Sequence, residues 1–412
     1  MARPIPGATE ALQYLQAHEI PFILLTNGGG KHEAERVADL SARLGIQLSV
    51  DNFVQSHTPF RMLVQGPEES GFTGHDLFEH AQYPQSKLED SGARPLGLGL
   101  QRLGLTSRQS VLDNEKLSSY AANKLRGKTV LVTGSDAAKA REIAESYGFG
   151  PVVIPADILK AYPDVYPFDP LMKELYEATA RPLPPDLKVD AILVFNDPRD
   201  WALDTQIIID LLLSQKGRLG TYSNQNGQPT QPNRGWQQDG TPRLYFSNPD
   251  LFWSARYHLP RLGQGSFQAA LAGVWAQITQ TRFRQHPGRP EVIPRSSFLR
   301  RTVIGKPTRV TYGYAEWVLE NYRAKVLGSG GGQAPGLATP LRTVYMVGDN
   351  PESDIRGANN YKGRNGTAWS SILVRTGVWD EKRDGAPAHE PKAIVNAVGD
   401  AVDWALAQQM GL

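Results

Sequence analysis

Four short segments combine residue types that can do chemistry. The first is Thr26-Asn27, followed by Gly28-Gly29-Gly30. A hydroxyl beside the amides of a glycine loop can donate hydrogen bonds to a phosphoryl oxygen; an ordinary strand-ending turn has the same composition. The second is Gly305-Lys306-Pro307. A lysine fixed ahead of a helix can neutralise charge on a transferring phosphoryl group, and a surface loop lysine is the plainer reading. The third is Gly348-Asp349-Asn350-Pro351-Glu352-Ser353-Asp354. Two carboxylates and an amide in one loop suit magnesium, which takes few carboxylates and completes its shell with waters and substrate oxygens. A turn with an Asp N-cap is the competing account. The fourth is 191–200, an apolar run ending in Asn196-Asp197 with Arg199 and Asp200 close behind; 245–250 ends similarly. Both can line a substrate pocket, and the turn chemistry of Asn-Asp-Pro and Asn-Pro-Asp accounts for them equally well.

These residues need elements to position them. The apolar run 21–27 predicts a buried strand entering the glycine loop, with helical spacing before it over 8–18 and after it over 31–44, stopped by Gly45. Helix, strand, glycine loop and helix in that order are an α/β arrangement. Further strands are expected at 128–132, 152–154, 191–195, 244–247, 344–347 and 371–375. Further helices are expected up to Tyr147 and over 204–213, 267–279, 311–322 and 393–409. The strand 344–347 delivers Asp349 to the carboxyl end of a sheet, where ligand sites of α/β proteins lie. Segment 66–122 has no sustained period and reads as an insertion, and glycine-rich 328–340 reads as a flexible connector.

Composition removes several classes of function. The 412 residues hold room for two or three domains. With 44 basic and 42 acidic side chains the net charge is +2, so charge gives no case for nucleic acid as the main partner. The chain has 0 cysteines, which excludes disulfides, a thiol nucleophile and thiolate metal sites; any metal must be held by carboxylates, amides, carbonyls or histidine, which favours hard ions such as magnesium. No apolar run reaches the ~18 residues of a membrane span, and the chain reads as soluble and intracellular. The Asn27–His32 stretch is not a phosphate loop of the Walker type, because no glycine stands at the required spacing and His32 replaces Ser/Thr. Gln268 stands where a dinucleotide fingerprint needs glycine, which disfavours a nicotinamide oxidoreductase.

Taken in order, LLTNGGG, GKP and VGDNPESDIRGA resemble the second, third and fourth motifs of haloacid dehalogenase-like (HAD) hydrolases. The placing of a cap between the second and third resembles the class IIA branch. PIPGATEALQYL, QSHTPFRMLV, VFNDPRDWALDTQIIIDLLLS, FSNPDLFW and PRLGQGSF resemble its eukaryotic cat-eye-syndrome-critical-region type. The resemblance covers most of 4–65 and 123–408. It implies a doubly wound, Rossmann-like α/β parallel-sheet core from 1–58 and 299–412, with an α/β C2-type cap from 59–298. It implies magnesium-dependent phosphoester hydrolysis through an aspartyl-phosphate. Thr26 would bind phosphoryl oxygens with Asn27 and Gly28 beside it, and Lys306 would hold nucleophile and phosphate together. Asp349 would bind magnesium with Asp354 in support and Asn350 near the substrate. Asn196, Asp197 and Asp200 would lie in the cap as substrate-binding residues. The partner implied is a phosphorylated small molecule, in the cytoplasm or the mitochondrion.

The chain departs from this pattern in two places. The family's nucleophile is an Asp-x-Asp pair about ten residues ahead of the PIPGA stretch, and no Asp-x-Asp occurs anywhere in these 412 residues. Segment 66–122 also interrupts a junction that the family crosses almost directly. The expectation is therefore a truncated hydrolase, with the first core strand and its aspartates lying upstream of Met1 and the insertion foreign to the fold. Reduced stability is expected from the lost central strand. The alternative is a non-catalytic phospho-ligand-binding or regulatory protein on the same fold.

Overall fold

The computed structural model describes residues 4–65, 125–255, 257–281, 299–328, 341–363 and 366–410. The expected insertion, 66–122, and most of the expected connector, 329–340, lie outside the described residues.

The chain opens with α1 (Ala8–Ala17), β1 (Leu24–Leu25) and α2 (Glu33–Leu44). Glu33 and Glu35 occupy the first turn of α2 and Arg43 the last, each complementing the helix dipole, and Gly45 ends the helix at φ 65°. β2 (Phe53–Val54) runs parallel to β1, and the 3-10 helix Thr58–Leu63 follows.

The larger sheet begins with β3 (Val130–Thr133), α3 (Ala137–Ser146) and β4 (Val152–Val153). Next come α4 (Pro155–Ala161), α5 (Lys173–Thr179), β5 (Ala191–Val194), α6 (Trp201–Leu213) and β6 (Arg243–Phe246). A short antiparallel ribbon, β7 (Phe252–Trp253) with β8 (Arg261–Leu262), precedes α7 (Gln264–Thr281) and β9 (Thr302–Val303). The five strands are ordered β4-β3-β5-β6-β9, and every pairing is parallel. β3 and β5 are buried throughout, which is why both read as unbroken apolar runs rather than alternating ones.

The chain then forms α8 (Arg309–Gly328), β10 (Thr343–Gly348), α9 (Arg356–Asn360) and β11 (Ala368–Val374). It closes with α10 (Glu381–Asp384), β12 (Ala393–Val395) and α11 (Val398–Met410). β10, β11 and β12 make a second parallel sheet in that order. The architecture is the expected doubly wound α/β class: parallel sheets flanked by helices, in a core and a cap.

The sheet nearest the glycine loop is split. β1 pairs with β2 on one side, and β10 pairs with β11 on one side; β1 and β10 do not pair with each other. The two halves are joined by packing instead. Leu25 lies against a cluster of Tyr312, Met346, Ala358 and Tyr361. At the far ends, α1 packs on α11.

Two local expectations change. The strand expected over 21–27 is regular only at Leu24–Leu25, because among the described residues only Phe53–Val54 offers a partner ladder. The helix expected over 393–409 is a strand followed by a helix. Ile372, Leu373 and Val374 pair with Ala393, Ile394 and Val395, and this tertiary pairing takes those three residues out of the helix.

Candidate functional site

The glycine loop after β1, the loop before α8 and the acidic loop after β10 converge. Asn27 is the junction of the first two. Its Oδ1 accepts from the Lys306 N–H at 2.7 Å, and its Nδ2 donates to the Lys306 carbonyl at 3.0 Å. The same Nδ2 donates to Asp250 Oδ1 at 3.0 Å, and Asn248 Nδ2 donates to the Asn27 carbonyl at 3.1 Å. Asn27 therefore ties two loops to the end of β6, and its side chain is committed to that structural work. Thr26, next to it, holds the loop start: its Oγ1 accepts from the Gly28 N–H at 3.0 Å, and its own N–H continues the β1–β2 ladder to Val54.

The Lys306 side chain is buried. Its Nζ lies 2.7 Å from Asp354 Oδ1 and donates to the Leu25 carbonyl, the last of β1, at 3.1 Å. Burial works against the ammonium charge, but Asp354 outweighs it, with Asp250 and Asp349 adding to the effect, so the pKa is raised and Lys306 stays charged.

The acidic loop is shaped by its own side chains. Asn350 caps the π-helical turn Pro351–Ile355 by accepting from the Glu352 N–H at 3.0 Å. Asp354 Oδ2 accepts from the Asn350 N–H at 3.1 Å. Tyr312 of α8 donates to the Asp354 carbonyl at 2.8 Å from below. Asp349 is held from the loop after β11, where the Val378 N–H donates to its Oδ2 at 2.7 Å. Gly377 has φ 135°, and a Cβ there would overlap the Asp349 carboxylate, so glycine is required. Burial raises the pKa of Asp349, and the neighbouring Asp354 raises it further. Asp250 is pushed up to about 6, chiefly by burial, against the opposing pull of Asn27 and Lys306.

Among the described residues no three histidines, aspartates or glutamates form a ready cage for a metal. Half-buried Asp349 and buried Asp354 nevertheless form a like-charge pair near one lysine. Two carboxylates leaving positions for water and ligand oxygens match the habits of magnesium.

The fourth segment behaves differently residue by residue. Asn196 bridges the glycine loop and the turn after β3. Its Oδ1 accepts from Ser135 N at 2.9 Å, its Nδ2 donates to Ser135 Oγ at 2.6 Å, and a Cβ at Gly30 or Gly134 would overlap it. Asp197 is half-buried beside this bridge, with Oδ1 lacking a hydrogen-bond partner among the described residues and its pKa raised by burial. Asp200 is the N-cap of α6, accepting from Leu203 N at 3.1 Å and from Leu171 N at 2.8 Å. The structure thus brings Thr26, Asn27, Gly28, Lys306, Asp349, Asn350 and Asp354 together and gives Asp200 a capping position instead.

Two features go beyond the site roles assigned from sequence. Asp250 belongs to the cluster, and its only signal was the Asn-Pro-Asp ending after β6. The other is a buried polar network between α2, the 3-10 helix and the end of α3. Tyr147 donates to Glu33, Thr58 Oγ1 donates to Glu33 Oε1 at 2.8 Å, and Arg61 lies 3.5 Å from Glu33 Oε2. His57 Nδ1 sits 2.8 Å from the Tyr147 hydroxyl, which spends its proton on Glu33, so Nδ1 carries the hydrogen. Burial drives the His57 pKa down to about 4 and keeps the ring neutral.

Comparison with known proteins gives consistent matches. Residues 1–75 match a family model described as haloacid dehalogenase-like hydrolase, and residues 303–401 match one described as HAD-hydrolase-like. The chain is 34% identical over 413 residues to the mitochondrial hydrolase YKR070W of Saccharomyces cerevisiae, covering 97% of this chain and 90% of that one. It is 33% identical over 409 residues to a cardiolipin synthase (CMP-forming) / mitochondrial hydrolase fusion protein of Schizosaccharomyces pombe, covering 99% of this chain and 51% of the fusion. Among solved structures, the hypothetical protein PH1952 from Pyrococcus horikoshii superposes with a TM-score of 0.47 at 15% identity, covering 98% of this chain and 94% of that one.

Proposed function

We propose a function on this premise: the chain belongs to the haloacid dehalogenase-like hydrolase family. The site is read as one for a phosphorylated small molecule and a magnesium ion, of the phosphoester hydrolase lineage. In these 412 residues it lacks the Asp-x-Asp nucleophile and is catalytically incomplete. The observation that carries the reading is the buried Lys306 ammonium, held between Asp354 and the end of β1 and beside Asp349.

Each residue then has a task. Lys306 offers a fixed positive charge to a phosphoryl oxygen. Thr26 Oγ1 and the loop amides that follow offer donors to the others. Asp349 and Asp354 would hold the magnesium, which when bound screens the negative charge of the phosphoryl group. Asn27 and Asn350 keep these groups in place. Asn196 and Asp197 border the site from the cap, which we take as 59–298 between core segments 1–58 and 299–412. A non-catalytic phospho-ligand-binding or regulatory role is the second reading. Both relatives above carry the word mitochondrial in their names, and we place this chain in the mitochondrion or the cytoplasm.

The test has two parts. Titration of the purified chain with magnesium should give saturable heat that falls at least tenfold in affinity in Asp349→Asn. Assay with p-nitrophenyl phosphate and magnesium should give no turnover above buffer. Turnover that disappears in Asp349→Ala would overturn catalytic incompleteness, and absence of any magnesium binding would overturn the site assignment.

A further inference from the structure

Six large apolar residues of the ribbon β7–β8 and its flanks are exposed among the described residues. Leu251, Phe252, Trp253, Tyr257, Leu259 and Leu262 are all 39–56% exposed. Phe252 pairs with Leu262 and Trp253 with Arg261. Successive strand residues point to opposite faces, so both faces of the ribbon present apolar side chains to solvent. Neither face is part of a core.

The charge of this stretch is one-sided. From 251 to 281 the sequence contains no aspartate or glutamate. His258 and Arg261 stand among the exposed rings, with the Arg261 guanidinium 4.6 Å from the centre of the Tyr257 ring. Trp and Tyr beside arginine, without carboxylates, is the combination that settles at the boundary between lipid headgroups and acyl chains. An anionic surface complements this charge.

The ribbon is also rigidly rooted. Gly263 N and Ser266 Oγ both donate to the Leu251 carbonyl, at 2.8 and 2.7 Å, and Gly265 N donates to the Asp250 carbonyl at 2.9 Å. Asp250 is the residue that Asn27 holds in the site. We propose that the β7–β8 ribbon is a docking surface for an anionic phospholipid bilayer. Among the described residues no helix is long and apolar enough to cross a membrane. This inference rests on the ribbon alone and stands whether or not the site binds magnesium.

Co-sedimentation of the full chain with vesicles tests it. One set is phosphatidylcholine alone, and the other contains about one-third phosphatidylglycerol. The expected result is binding to the mixed vesicles that weakens with salt and falls at least tenfold in the triple variant Phe252→Ser, Trp253→Ser, Tyr257→Ser. Arg261→Glu should fall by a similar factor without removing apolar surface. All four residues are exposed, and circular dichroism of each variant checks that the fold is kept. No binding by the wild-type chain, equal binding to both vesicle sets, or equal binding by the variants would overturn the proposal. So would a wild-type dimer that ignores vesicles and becomes monomeric in the triple variant, which would make the ribbon a self-association surface.

Discussion

Asn27 and Lys306, 279 residues apart, grip each other through both backbone polar groups of the lysine: the asparagine oxygen takes the N–H and its amide feeds the carbonyl. A side chain that satisfies a distant peptide unit in this way fixes two loops in one register. Asn27→Ala leaves a buried donor and acceptor of Lys306, and Asp250 Oδ1, without these partners. The expected cost is about 2–4 kcal/mol, from two to three buried hydrogen bonds, read as a lower urea midpoint at unchanged m-value.

Gly377→Ala is expected to act on the acidic loop from outside it. At φ 135° the new Cβ is strained, and it overlaps the Asp349 carboxylate. Stability should fall by about 1–3 kcal/mol, and magnesium affinity should fall at least tenfold. Thermal melts and calorimetric titration check the two effects separately.

Much of this was legible in the sequence, and the exceptions have physical reasons. The apolar runs that became β3 and β5 needed no tertiary information, because strands buried on both faces are apolar at every position. Three residues of β12 carry too little period to oppose a following helix, so only their pairing with β11 reveals them. Thr26, Lys306 and Asp349 stood out by type and local context, but their convergence depends on Asn27 bonding across the chain. Asp250 was masked by turn chemistry, since Asn248 does accept from its N–H at 2.8 Å as an Asn-Pro-Asp turn requires. The Glu33–Tyr147 network gave no signal, because its members lie 114 residues apart on elements that each read as ordinary.

Asp204 should make stability depend on pH. It is fully buried on α6, bonded to Thr133 Oγ1 at 2.5 Å, and burial raises its pKa to about 7. The folded state therefore holds a proton that the unfolded chain releases near pH 4. The stabilisation is fully present below that unfolded value and is lost as pH rises through about 7. Wild type minus Asp204→Asn should slope by up to about 1.4 kcal/mol per pH unit between those limits. Denaturant midpoints measured across the window check it.

The buried pair Arg141–Asp157 offers a double-mutant test. Arg141 Nη2 reaches both carboxylate oxygens, at 2.7 and 2.9 Å, and Asp157 also accepts from Arg181 N at 2.6 Å and Ile154 N at 2.9 Å. Asp157→Ala strands a buried guanidinium and should cost about 3–5 kcal/mol. Adding Arg141→Met should recover part of that loss, since the second change removes the unpaired charge. Equilibrium unfolding of the three variants measures the coupling.

The order of the strands along the chain bears on how the molecule is made. All five strands of the larger sheet lie between Val130 and Val303, so that sheet can assemble as soon as this stretch has left the ribosome. The elements made before it cannot finish. Asn27 waits for Lys306, Leu25 waits for Met346, and α1 waits for α11. Until the last hundred or so residues are synthesised, the opening segment has only part of its final contacts, among them those of Glu33 with Tyr147 and of Asn27 with Asn248 and Asp250.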